Sequence, residues 1–211
     1  MSAQFVTYQD HTYELTLTGK CALSVYSEFE EKIEGVIGAQ PLLSMLPADA
    51  SIDPLFLADA EIHTSSPEIP DSVINELFES IEHSDELYGI APVAIVGQLE
   101  AFYDAATAGG TQVEMIIDEQ LFERLLQAPD SRQVMVESVR RERTNIYTAS
   151  IPFGYGLWAG DDEAGVVVYT DTGIGGIALN DSDKAISWAK SMFDALNEDA
   201  TLMTLSDIGE A

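Results

Sequence analysis

Cysteine is almost absent: Cys21 stands alone in 211 residues, which excludes an internal disulfide and any multi-cysteine metal site and leaves it as filler on a helix face. Basic residues are few, with 9 Lys plus Arg against 37 Asp plus Glu, a formal net charge of -28. Nucleic-acid affinity comes mainly from cations meeting phosphates, so this chain is expected to bind DNA weakly or not at all by itself. No apolar run reaches the ~18 residues that span a bilayer, and the first residues lack the charged-then-apolar layout of a signal peptide. A soluble, cytoplasmic protein without a membrane partner is expected. His11, His63 and His83 are far apart and lack metal-ligand spacing such as HExxH, so no metal site is expected.

What is present is a foldable chain. Apolar residues make up 46% of it, and aromatic and branched residues recur throughout, unlike in a disordered acidic tail. So much like charge opposes compaction in ordinary buffer, whereas at ~1 M salt the screening length falls to roughly 3 Å. A halophilic protein from a salt-accumulating cytoplasm is therefore expected, with one main domain and a small appendage.

Residues Gln4 to Tyr8 and Thr12 to Leu17 predict two short strands around a turn at Asp10-His11, and Thr16 or Thr18 can cap the next helix. From Cys21 onward Val25, Phe29, Ile33, Val36 and Ile37 recur at helical spacing, predicting one long amphipathic helix ending near Pro41 or Pro47. Its stripe either packs on the chain's own domain or pairs subunits. A strand follows at Ala60 to Thr64, then a helix capped by Asp71 with Val73, Ile74, Leu77, Phe78 and Ile81 inward. A helix over Val93 to Ala108 stops at Gly109-Gly110; Gln112 to Ile117 is a strand and Asp118 to Gln127 a helix. Strands at Asn145 to Ser150, Phe153 to Ala159, Gly165 to Thr170 and Ile174 to Leu179 are joined by short turns that favour antiparallel neighbours. Asn180-Asp-Ser182 opens a closing helix whose face, Ala185 through Leu196, should lie across the sheet. The fold class is α/β with α+β character in the carboxy-terminal third.

The string Pro152-Phe-Gly-Tyr-Gly-Leu-Trp158, followed by Val166 to Tyr169, Gly175-Gly-Ile-Ala-Leu-Asn-Asp181 and Ala185-Ile-Ser-Trp-Ala189 with Phe193, resembles the carboxy-terminal half of archaeal winged helix-turn-helix regulators that carry the methanogenesis-regulator type of middle domain, a group abundant in haloarchaea. The opening Tyr13-Glu-Leu-Thr-Leu-Thr-Gly-Lys20 is similar to their wing running into the next helix. The resemblance implies a transcription regulator with residues 1–17 as a partial wing, 18–46 as a linker or dimerisation helix, 47–205 as an α/β effector domain and 206–211 as a tail. A recognition helix should lie upstream of a wing; either the reading frame begins further upstream or this is a naturally short form.

The expected partners are DNA, met weakly at His11 and Lys20 or through a missing amino-terminal domain, a second copy or a related regulator, and an unknown small-molecule effector. The effector would bind between sheet and helices at Phe153, Tyr155, Trp158 and Tyr169, which combine apolar surface with hydrogen-bonding ability. The alternative function is a stand-alone module that heterodimerises with full-length regulators. No catalytic residues and no cofactor are expected. Asp161-Asp162-Glu163 reads as a solvated turn, Gly173-Ile-Gly-Gly176 lacks the Lys-Ser/Thr of a phosphate loop, and Ser150 and Ser187 lack a nucleophile-elbow context. The Arg140-Arg141-Glu142-Arg143 cluster is expected to pair with local carboxylates.

Overall fold

The computed structural model describes residues 4–9, 11–66, 72–82, 84–140, 143–171 and 173–209. Asp10, His83, the cap at Asp71, the Pro67 to Pro70 segment, Arg141 and Glu142 lie outside the described residues.

The chain opens with an antiparallel hairpin, β1 (Val6–Gln9) and β2 (Thr12–Leu15), with Tyr8 against Tyr13 at a ring separation of 4.8 Å. Thr16 then caps α1 (Leu17–Gly38), its side chain accepting from the Gly19 amide. Gly19 must lack a side chain, because a Cβ there would overlap the Phe5 carbonyl. α1 ends just before Pro41, the first of the two expected stops. Pro41 has no amide hydrogen to give to the preceding turn and its ring crowds that turn's carbonyl. The helix therefore stops at Ala39 and the chain re-enters a single turn, α2 (Gln40–Leu43).

Asp53 caps α3 (Pro54–Leu57), whose Leu57 carbonyl lies against Gly35 of α1 and so docks the carboxyl end of the long helix on the domain. Further toward its start, the α1 stripe is uncovered in the single chain: Leu23, Val25, Tyr26 and Phe29 are each more than half exposed.

The main sheet has eight strands in the order β10-β6-β5-β4-β7-β8-β9-β3. In chain order these elements are β3 (Glu61–Thr64), α4 (Ser72–Ile81), β4 (Glu86–Ala91), a 3-10 turn (Val96–Gln98), α5 (Leu99–Thr107), β5 (Gln112–Asp118), α6 (Glu119–Gln127), α7 (Pro129–Arg140), β6 (Thr144–Ala149), β7 (Tyr155–Ala159), β8 (Ala164–Thr170), β9 (Gly173–Asn180), α8 (Asp183–Asn197), β10 (Thr201–Leu202) and α9 (Leu205–Ile208). The mixed sheet, small hairpin and closing helix agree with the expected fold class. Asp118 and Ser182 cap α6 and α8 as their positions predict.

Several expectations need correction. The sequence pattern assigns no element to β4, the strand at the centre of the sheet, or to α7. β6 and β7 are not antiparallel neighbours: β4, β5 and β6 run parallel, and the chain then crosses to the far side of β4, where β7 pairs antiparallel with it. The predicted helix from Val93 is α-helical only from Leu99, preceded by the 3-10 turn at Val96–Gln98. The chain after residue 205 is not a loose tail: Ile208 is buried, and Arg132 donates hydrogen bonds to the carbonyls of Ile208 and Gly209.

Each face of the sheet has its own core. One face lies under α2, α3 and α8 and centres on Phe56, Tyr155, Val166, Ala178, Ala189 and Phe193. The other lies under α4, α5, α6, α7 and α9 and centres on Ile81, Val113, Met135, Ile146, Ile177 and Ile208. No helix among the described residues is long and apolar enough to cross a membrane.

Candidate functional site

Alternate residues of a strand point to opposite faces of its sheet, and this divides the four predicted ligand-binding aromatics into two pairs. Phe153 and Tyr155 face α8, with rings stacked at 4.5 Å. Tyr155 is fully buried, and its hydroxyl donates to the Ser51 carbonyl; burial pushes its pKa up to about 12. The expected four-residue cluster does not form, and this pair is packing. Trp158 and Tyr169 point the other way and line a cavity of about 110 Å³ between the sheet and α4, α5 and α6.

That cavity sits where the topology makes room. β4 is the strand from which the chain first winds outward through β5 and β6 and to whose other side it later returns as β7. The cavity is walled by Gly89 to Ala91 at the carboxyl end of β4, by Met115 and Ile117 of β5, and by the irregular segment from Val93 to Ile95. Gly89 leaves the space that the Met115 side chain occupies: a Cβ there would stand 2.6 Å from the Met115 Cε.

The polar groups on this wall differ in their satisfaction. Trp158 lies over Gly165, where any Cβ would overlap its six-membered ring; its Nε1 donates to Ser80 Oγ at 3.0 Å, and Ser80 in turn donates to Glu163. Trp158 is thus a fixed wall with its one donor already used. Tyr169, carried past a bulge between Val168 and Tyr169, brings its hydroxyl close to Gly156, 2.8 Å from where a Cβ would stand. Tyr103, from α5, is 3% exposed. Neither hydroxyl has a hydrogen-bond partner among the described residues, and burial alone pushes both phenols well above the ordinary tyrosine range. Sequence reasoning puts Tyr103 only within the Val93 to Ala108 helix and gives it no site role. The available signal was a tyrosine, not another phenylalanine, beside Phe102 on a buried face.

The remaining predicted residues fall elsewhere. His11, in a left-handed conformation with φ 63, and Lys20 are both exposed near the hairpin, far in sequence from the cavity. Asp161 and Glu163 do not form a merely solvated turn: Asp161 accepts from the amides of Asp85 and Glu86, and Glu163 accepts from Ser80. Arg143 reaches the Gly110 carbonyl, where the sequence suggested a carboxylate partner. Gly176 leaves room for neighbouring β3, since a Cβ would stand 2.7 Å from the His63 carbonyl oxygen.

A mixed sheet covered on both faces, with a cavity on one of them and an exposed helix leading in from a hairpin, defines an α/β domain. Residues 70–199 match the family described as methanogenesis regulatory protein FilR1, middle domain, and the chain belongs to that family. Such membership makes it a transcription-regulator-type domain. No curated protein matches by sequence.

Among solved structures, TrmBL2, described as an archaeal chromatin protein with a novel mode of DNA binding, is similar at a TM-score of 0.52 and 14% identity, over 94% of this chain and 77% of that one. The phospholipase D family member Nuc from Salmonella typhimurium has a TM-score of 0.53 and 13% identity, over 69% of this chain and 99% of that one. NucT from Helicobacter pylori gives 0.54 and 12%, over 69% and 99%. At these identities the likeness is one of fold.

Proposed function

We propose that this chain is the effector-sensing and dimerisation part of an archaeal-type transcription regulator, with α1 transmitting the state of the domain to DNA-binding elements. The observation that carries this is α1 itself. Ala22, Tyr26, Phe29, Ile33 and Val36 follow one another at alternating spacings of four and three, the seam of a two-helix coiled coil. The hairpin-side half of that seam is bare in the single chain, while Gly35 anchors the other end on α3. A helix docked at one end and paired at the other converts a shift of the domain into a change of angle between subunits.

DNA is the partner of the assembled regulator. The net charge of -28 means that this chain by itself adds little phosphate affinity beyond Lys20 and His11. The charge also suits a cytoplasm holding molar salt, where like-charge repulsion is screened. Binding, not catalysis, is the role of the cavity: its wall offers two phenols held neutral far above physiological pH and no group positioned as a base.

Light scattering in ~2 M KCl tests the reading, with a dimer expected for the parent chain. Phe29→Glu together with Ile33→Glu should give a folded monomer, because both side chains belong to the seam. A parent chain that stays monomeric at high micromolar concentration would overturn the proposal.

A further inference from the structure

We infer that the cavity under α4 and α5 binds a small, neutral, mainly apolar molecule carrying an oxygen that can hydrogen-bond, of about the size of phenol. This deepens the regulator reading, on which it rests for its biological meaning, by naming the chemistry of the effector.

Size sets the first limit. An engineered apolar cavity of about 150 Å³ takes benzene, so about 110 Å³ here suits one ring or a short branched chain. Lining sets the second. Ile74, Leu77, Phe102, Met115, Ile117 and Leu121 present hydrocarbon, and an ion placed among them would lose its hydration with no opposite charge to meet. Anionic metabolites are therefore excluded.

The two phenols set the third limit. A buried hydroxyl without a partner is disfavoured, and phenylalanine would fill the same volume without that penalty. Tyr103, buried, and Tyr169, half-buried, nevertheless line the same cavity, and neither hydroxyl has a partner among the described residues. Their opposite, on the other face of the sheet, is Tyr155, whose hydroxyl is bonded to Ser51. A ligand oxygen accepting from one or both phenols supplies the missing partner, and it makes the site discriminate against plain hydrocarbon. Position adds to this: Gly89 to Ala91, at the carboxyl end of β4, line the cavity. Its outer wall is the irregular Val93 to Ile95 segment, where Val93 is 39% exposed.

The test uses the full chain in molar KCl with Trp188→Phe, which leaves Trp158 in the cavity wall as the sole tryptophan. Phenol, cyclohexanone, benzene and benzoate are titrated, reading Trp158 emission and the melting temperature. Phenol and cyclohexanone should saturate the emission change and raise the melting temperature; benzene should bind roughly tenfold more weakly and benzoate should have no effect. Tyr103→Phe and Tyr169→Phe should each keep the fold and bring phenol down toward benzene. Ala94→Leu, which fills the space, should abolish the response, with Leu99→Phe as a second filler should the first variant lose its circular dichroism spectrum.

No binding by any probe, equal binding of benzene and phenol, a response to benzoate, or undiminished phenol binding in a folded filled variant would each overturn the inference. Light scattering on the same samples separates the two readings. A dimer that binds no phenol sinks the cavity assignment alone, whereas a monomer that binds phenol sinks the regulator coupling alone.

Discussion

The two faces of the main sheet are built from the same strands yet finished differently. Under α8 the polar groups that tie the sheet to α3 and to the chain before it have partners within the protein. Asn180 donates to the carbonyls of Phe56 and Ala58 at 2.8 and 2.6 Å and accepts from the Ser182 amide, and Tyr155 donates to Ser51. Under α4 and α5 the packing leaves a cavity, and two phenols at its wall have no partner among the described residues. Protein interiors ordinarily tolerate neither voids nor orphan hydroxyls. The comparison teaches that the α8 face holds the fold, while the opposite face gives up packing in a way that suits a binding site.

The largest test of that contrast comes where the cavity wall is itself rigid. Gly165→Val places a side chain where the Trp158 ring lies, and Trp158 cannot move without breaking its bond to Ser80. A loss of about 3 kcal/mol is expected from overpacking of this kind, read as a lower urea midpoint with unchanged slope. A loss under about 1 kcal/mol would mean that the wall yields, and that the open face is soft instead of preformed.

Next in size is Asn180→Ala on the closed face. The substitution leaves the Phe56 and Ala58 carbonyls without their donor and removes a contact at the start of α8. Buried groups left in this state cost about 2–3 kcal/mol. Since α3 is also the seat of α1, the same variant should loosen the helix, seen as faster amide exchange around Gly35. Unchanged exchange there would separate the closed face from the rod.

How far the sequence reveals this arrangement depends on what each residue reports. α8 is legible because its cap at Ser182 and its apolar face from Ala185 to Leu196 are both local signals. β4 is not legible. Glu86-Leu-Tyr-Gly-Ile-Ala91 is buried along much of its length, so alternation is lost, and Gly89 reads as a break although it exists to admit Met115. α7 hides because its apolar residues are sparse among charges, and its partner Ile208 lies far along the chain.

The return of the chain from β6 to β7 is set by packing of the whole sheet, which a five-residue link does not disclose. For the site, Trp158 and Tyr169 are found by residue type alone. Separating them from Phe153 and Tyr155 needs the strand register, and recognising Tyr103 needs knowledge that its hydroxyl meets nothing.

The smallest effect sharpens the comparison most directly, because it sets the same one-atom deletion on each face. Tyr155→Phe removes a donor that Ser51 uses and should lower stability by about 1 kcal/mol at neutral pH. Tyr103→Phe removes a hydroxyl with no partner among the described residues and should leave the ligand-free protein unchanged or up to about 1 kcal/mol more stable. Alkaline titration adds a second readout. In the folded chain Tyr155 titrates near pH 12, against about 10 when unfolded, so its raised value favours the folded state fully below pH 10 and ceases to do so as pH rises toward 12. The stability gap between parent and Tyr155→Phe should therefore close over that interval. Tyr103 is shifted upward by burial as well, so the parent should lose stability relative to Tyr103→Phe from pH 10 upward, and that gap should open in favour of the variant. Urea midpoints at pH 7, 10 and 11.5 in molar KCl measure both. Equal losses for the two variants at pH 7 would show that the Tyr103 hydroxyl is satisfied after all, and the two faces would then no longer differ.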